Sequence, residues 1–284
     1  MDTFADRLTT LQAESQRITQ YLHTLPPEAL GAPSACSQWQ VHDVIAHLIG
    51  VAETYAGSVS RGLQGDTAPP AGRPPAGTAN AAVSAEGIAQ RSIATRQRLG
   101  DQLLTTFDTT SDHLNCLLAG LDAQQRDIPC YHPGGMVPAR RFMDLRLKEL
   151  ALHEWDIRAG LEPNAALSAA TYPAMLDLIA DSIASGSLRW AFWAGPRLPR
   201  AVRYRFLVTG VGPDKSDIVV TGDSISMDEA RDTLADVTFH CDTETYLLLV
   251  YGRLSPEAAM ASGRLVVVGD QEMALAFGRW FKGL

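Results

Sequence analysis

The sequence predicts an α+β, multidomain protein, with a helix bundle over residues 1–192 followed by a small α/β domain over residues 198–284. Three observations predict it. Apolar residues recur at helical spacing through most of the first 190 positions. The Pro/Gly punctuation of WAGPRLPR (193–200) ends that texture. Beyond it, short runs of strand patterning alternate with capped helical ones. A length of 284 residues fits roughly two domains.

The first helix covers residues 2–25, with Phe4, Leu8, Leu11, Ile18, Leu22 and Leu25 in phase, and stops at Pro26-Pro27, where the ring removes a donor and disfavours helical backbone before it. After a Gly/Pro/Ser loop (31–38), QVHDVIAHLIGVAETYAGSVSRGL places Val41, Val44, Ile45, Leu48, Ala52 and Tyr55 on one stripe of a second helix. His47 falls at the edge of that stripe beside Val44 and Val51, and His42 points to the expected solvent side. Residues 65–80, GDTAPPAGRPPAGTAN, hold too much Pro and Gly for a regular element and read either as a plain connection or as a flap over a site. A long helical pattern follows over 81–121, broken near Gly100. RDIPCYHPGGMVPAR then suggests a hairpin-like connection into a helix over 138–160, and residues 168–190 give one more helix, ending near Gly186.

In the tail, AVRYRFLVTG, SDIVVTG, ADVTFHCD and RLVVVGD read as four strands. DTETYLLLVYGR, SPEAAMA and QEMALAFGRWFKGL read as helices, the second starting at Ser255-Pro256. No internal repeat occurs at a fixed period.

A chain 46% hydrophobic and 20% charged builds an ordinary globular core. A net charge of −8 without a basic run argues against a nucleic-acid partner. The amino terminus lacks the pattern of a signal peptide and no stretch has the apolar length of a membrane span, so the expectation is a cytoplasmic protein with no membrane partner. Cys36, Cys116, Cys130 and Cys241 form no CxxC and read as reduced thiols, Cys36 and Cys130 as buried structural ones without a catalytic frame.

The helix 138–160, PARRFMDLRLKELALHEWDIRAG, concentrates the chemistry. Leu147, Leu150, Leu152, Trp155 and Ile157 spread around most of its circumference, which marks a buried helix. Glu149, His153 and Asp156 stack on one face, with Arg146 a turn earlier. A buried carboxylate needs a cationic partner, either an ion pair or a metal. Glu149 and His153 offer two donors to one point, and His47 is the best candidate for a third. Against this stand the plainer readings that His47 is a hydrogen-bonded core histidine and that Glu149 and His153 are an i,i+4 surface pair. Asp156 suits the other ring nitrogen of His153 or is simply a solvated acid.

CSQWQVHDVIAHL and GGMVPARRFMDLRLKELALHEWDIRAG together resemble the metal-binding segments of the mycothiol-dependent maleylpyruvate isomerase family, a DinB-like up-down four-helix bundle fused to an SCP2-like domain. The resemblance implies a zinc or similar divalent ion on His47, Glu149 and His153, with mycothiol as the thiol cofactor. It also implies Arg146 and Asp156 in family positions, and Arg253 where these isomerases carry an arginine implicated in catalysis. The chain departs from the family where an arginine-containing stretch follows the second helix: here only Arg73 lies in the Pro/Gly-rich loop. His42 also replaces a residue that is often basic in the family.

Three protein ligands leave a tetrahedral ion one open position. A thiol bound there becomes a thiolate, whereas water would make a hydrolase. The expectation is a metal-dependent enzyme that activates mycothiol for S-transfer, thiol exchange or cis-trans isomerisation of a small electrophilic metabolite, acting as a monomer or homodimer. Arg146 and Arg253 would hold anionic substrate or cofactor. The alternatives are a zinc hydrolase and a non-enzymatic metal- or ligand-binding module.

Overall fold

The computed structural model describes residues 3–78, 81–184, 192–195, 198–228 and 234–283, the side chains of 81–84 excepted. The chain divides into two compact units, one of residues 1–79 and 83–174, the other of residues 80–82 and 175–284.

The first unit contains helices α1 (Thr3–Thr24), α2 (Pro27–Leu30), α3 (Val41–Leu63), α4 (Ala81–Leu99), α5 (Leu103–Ala119) and α6 (Arg141–Leu161). Four of these form a ring: α1 touches α5 and α6, and α3 touches the same two. Each turns its apolar stripe inward. Leu11, Ile18 and Leu22 of α1, Val44, Ile45 and Leu48 of α3, Phe107 and Leu114 of α5, and Leu147 and Ile157 of α6 are fully buried. At about 1.5–3 kcal/mol for each such side chain, this core is what holds the ring together. The expected break near Gly100 is there, as a 3₁₀ turn over Gly100–Gln102 with Gly100 at φ 49°. The Pro-Gly-Gly connection pairs strand β1 (Pro129–Cys130) antiparallel with β2 (Val137–Pro138).

Helix α7 (Tyr172–Ala184) falls where the two units divide. Tyr251 Oη donates to Met175 O at 3.1 Å, and Leu176 lies against Gly212. From its second turn onward α7 therefore joins the C-terminal unit, and the division lies before the Pro/Gly punctuation of 193–200. The expected helix end near Gly186 lies outside the described residues.

The second unit is built on a five-stranded sheet of β3 (Val202–Thr209), β4 (Lys215–Val220), β5 (Ile225–Asp228), β6 (Val237–Asp242) and β7 (Val266–Gly269), in the order β5-β4-β3-β6-β7. Only β3 and β6 pair in parallel. β5 was not legible in the sequence: ISMD lacks both alternation and β-branched density. Helices α8 (Thr243–Val250) and α10 (Gln271–Trp280) cover one face, joined by the short α9 (Pro256–Ala261). Tyr204, Phe206, Phe239, Tyr246 and Phe277 meet there ring to ring. Caps fix all three helix starts, since Asp242, Ser255 and Asp270 accept the amides of Thr245, Ala258 and Met273.

Candidate metal centre

Helices α3 and α6 are neighbours in the ring, and each turns polar groups toward the other. The start of α3 is fixed by Gln40 N–H, which donates to the Asp43 carboxylate at 3.0 Å. That places His47 in the second turn. On α6, Glu149 and His153 lie one turn apart in the middle of a helix buried over most of its length. His47 Nε2 and His153 Nε2 each lie 3.3 Å from Glu149 Oε2. The two imidazoles meet edge to face, with centroids 4.6 Å apart at 71°. The three side chains are only 8–14% exposed, so the surface-pair reading does not describe them.

The donor set suits a divalent ion. Ligands bound at about 2.0–2.2 Å in a tetrahedron sit about 3.3–3.6 Å from one another. Two of the three donor separations have that length, and all three donor atoms lie within 4.8 Å of one another. His153 Nδ1 pairs with Asp156 Oδ2 at 2.9 Å, which leaves Nε2 facing Glu149, where an incoming ion would displace its proton. Asp156 is 1% exposed and so is not a solvated acid.

The electrostatics keep this cluster charged although it is buried. Burial alone would raise the Glu149 carboxyl; the Lys148 ammonium, 2.8 Å from Oε1, and the two imidazoles outweigh it and hold it well below the usual carboxylate range. Burial likewise would lower His153, but hydrogen bonds to Asp156, Cys36 and Glu149 hold it well above the ordinary histidine value. His47 is pushed down to about 4 by burial and by the neighbouring His153, so its ring stays neutral.

Arg146 is placed elsewhere. Its guanidinium is fully buried, and Nη1 and Nη2 donate to Leu48 O at 2.9 Å and Ser111 Oγ at 3.1 Å. It was expected to hold substrate or cofactor; here this arginine ties α6 to α3 and α5. Burial lowers it to about 10. Arg253 belongs to the second unit, just past α8. Its N–H donates to Leu248 O at 2.8 Å, and the preceding Gly252 has φ 68° in a turn where a Cβ would overlap the Gly283 amide. His42, expected in solvent, has a side chain only 18% exposed, beside Asp43 and close to Arg96 of α4, whose guanidinium pairs with Asp43 at 3.0 Å.

Three further groups belong to the surroundings of the centre and were not singled out from the sequence. Trp39 lies over both imidazoles, 5.1 Å from His47 and 6.2 Å from His153. Lys148 pairs with Glu149 as described. His132 sits between Tyr55 and Phe142, its Nδ1 accepting Gly134 N–H at 3.1 Å; burial and then Lys148 push it down to about 4. Only the tertiary fold brings a histidine of the Pro-Gly-Gly turn within electrostatic reach of Glu149. The Pro/Gly-rich loop folds back on the same region, with Tyr131 Oη donating to Pro74 O at 2.6 Å and Gly77 N–H to Pro133 O at 3.0 Å. Arg73 from this loop donates to Thr54 Oγ1 on α3 at 3.3 Å.

Comparison with known proteins agrees with this architecture. The family model for the mycothiol maleylpyruvate isomerase N-terminal domain matches residues 11–158, and that of the SCP-2 sterol transfer family matches residues 193–282. No curated protein matches the sequence. Among solved structures, a mycothiol-dependent maleylpyruvate isomerase is 15% identical with a TM-score of 0.61, over 94% of this chain and 95% of that one. A histidine-to-alanine mutant of a mycothiol-dependent maleylpyruvate isomerase aligns equally well. A sterol carrier protein-2 like-3 from Aedes aegypti is 15% identical over 38% of this chain and 92% of its own, with a TM-score of 0.27. No described helix is long and apolar enough to cross a membrane. With that first family model matched over more than half the sequence and the fold shared over 94% of it, the chain belongs to the mycothiol maleylpyruvate isomerase family.

Proposed function

We propose that this protein is a zinc-dependent enzyme that uses mycothiol to isomerise a small unsaturated acid. The observation that carries the reading is the convergence of His47, Glu149 and His153 from two helices at separations that suit one tetrahedral ion. Bound there, the ion supplies an open coordination position that turns a thiol into a thiolate, a nucleophile able to add reversibly to an activated double bond and free it to rotate.

The chain's own residues prepare that position. Glu149 offers Oε2 to the ion while Oε1 stays with Lys148, so the carboxylate cannot swing away. Asp156 fixes the ring of His153, and Trp39 keeps water from the outer edge of both imidazoles. His132, with Nδ1 occupied by a backbone amide, presents Nε2 as a donor on the Tyr55 side. Arg253 is assigned an anionic substrate group on the family resemblance alone. Arg253→Ala should therefore lower turnover and leave metal content unchanged.

Metal analysis of protein purified without chelator should give one zinc per chain, lost in His47→Ala and in Glu149→Ala. Stoichiometric zinc retained in both would refute the centre. Absorption of the Co²⁺-loaded chain should shift on adding mycothiol; a flat spectrum would favour the hydrolase. Counting free thiol during turnover separates the two thiol chemistries, because isomerisation returns every thiol and S-transfer consumes one per product.

A further inference from the structure

The segment entering α3 is a rigid bracket seated on α6. At its start Pro33 O lies against Gly160, where any Cβ would overlap it. Ala35 N–H donates to the backbone oxygen of Asp156 at 2.8 Å, Ser34 Oγ donates to Trp39 O at 2.8 Å, and Pro33 bridges to Gln40. The bracket sends two side chains to the centre. One is the Trp39 ring. The other is Cys36, whose Sγ–H donates to Asp156 Oδ2 at 3.1 Å, the same oxygen that pairs with His153 Nδ1 at 2.9 Å. Sulfur, ring nitrogen and carboxylate oxygen all lie within 4.8 Å of one another.

We propose that Cys36 is a positioning residue of the metal centre: its S–H steadies Asp156 Oδ2 against His153 Nδ1 and so keeps His153 Nε2 aimed at the ion. The proposal rests on the metal reading above. An ionised carboxylate this buried needs more than one donor, and losing one lets it rotate toward another. A thiol is also a weak donor. It can share Oδ2 without drawing away the electron density that makes the imidazole a good ligand, which a charged donor in its place would do. Purely structural packing would need only the volume of the sulfur, and that difference can be tested.

In the full chain, Cys36→Val keeps a buried apolar group of similar size and removes the donor, while Cys36→Ser keeps a donor. Zinc affinity, measured by competition with a chromophoric chelator, should fall about 10-fold or more in Cys36→Val, the range typical for outer partners of a ligating histidine, and stay close to wild type in Cys36→Ser. The Co²⁺ absorption bands should move only in the valine variant, and urea unfolding of the zinc-free proteins should not order the variants in the same way. Adding Cys36→Val to Asp156→Asn should cost clearly less than the sum of the two single losses, because the sulfur works through the carboxylate that the second change alters. Equal zinc affinity in the serine and valine variants, losses that merely follow zinc-free stability, or additive losses in the double variant would overturn the proposal. A wild-type chain that binds no zinc would instead remove the metal reading, and this proposal with it.

Discussion

His132 carries a consequence for stability. Its ring is held near a pKa of about 4 by burial, against about 6.5 in an unfolded chain. As pH falls below 6.5 the unfolded state takes up a proton that the folded state refuses, so stability is lost between about pH 6.5 and 4 and levels off below that. The shift corresponds to a loss on the order of 3 kcal/mol. Urea unfolding of chelator-treated protein across that range should show the decline, and His132→Gln should flatten it by that amount. An unchanged slope would show that the imidazole is not buried as described. At this scale the sequence was informative about which side chains converge and poor about their neighbours. Glu149, His153 and Asp156 share a helix face, so periodicity alone groups them. His47 could be proposed because it stands at the edge of a stripe. His132 and the Cys36 contact could not, because a turn residue and a residue 120 positions from Asp156 enter the centre only through tertiary contacts, and Lys148 could not because adjacent helix positions point about 100° apart.

Among the elements, α6 is the one whose placement explains most. A helix apolar nearly all round must be surrounded, and α6 has α1 on one side and α3 on the other. Arg146 is what such a position demands of a cation: no solvent, and acceptors from two other helices. Arg146→Leu would leave Leu48 O and Ser111 Oγ without their donor, each at about 1–3 kcal/mol. The expected result is a loss of about 2–4 kcal/mol in urea unfolding with one zinc still bound at saturating metal. A variant of wild-type stability that had lost its zinc would return this arginine to the site. The sequence placed Arg146 on the functional face correctly as to angle, but angle does not say which neighbour a long side chain reaches. Helix and strand identities were readable wherever periodicity ran long. They failed for β5, whose four residues carry no pattern and become a strand only by pairing with β4.

For the whole molecule, the change of texture along the chain announced two bodies, and each has its own apolar core. The dividing point was less readable, because α7 is helical like the bundle but makes its contacts with the sheet unit. Separate cores imply separate responses to metal. At free zinc about 100-fold above the dissociation constant, binding adds about 2.7 kcal/mol to whichever unit holds the ion. Scanning calorimetry with and without a chelator should therefore move the transition of the first unit and leave that of the second in place. A single transition shifting as a whole would mean that the units unfold together.

The centre is also spread unevenly along the chain. His47 lies 102 residues before Glu149, whereas Glu149, His153 and Asp156 occupy two turns of one helix. On a ribosome adding about 5–20 residues each second, the first imidazole waits about 5–20 s for its companions. An ion arriving in that interval meets a single weak donor and leaves again. On the proposed metal reading, loading would follow the docking of the later helix, so the maturing polypeptide would take up the ion as an already shaped receptacle and not as a template around which the bundle gathers.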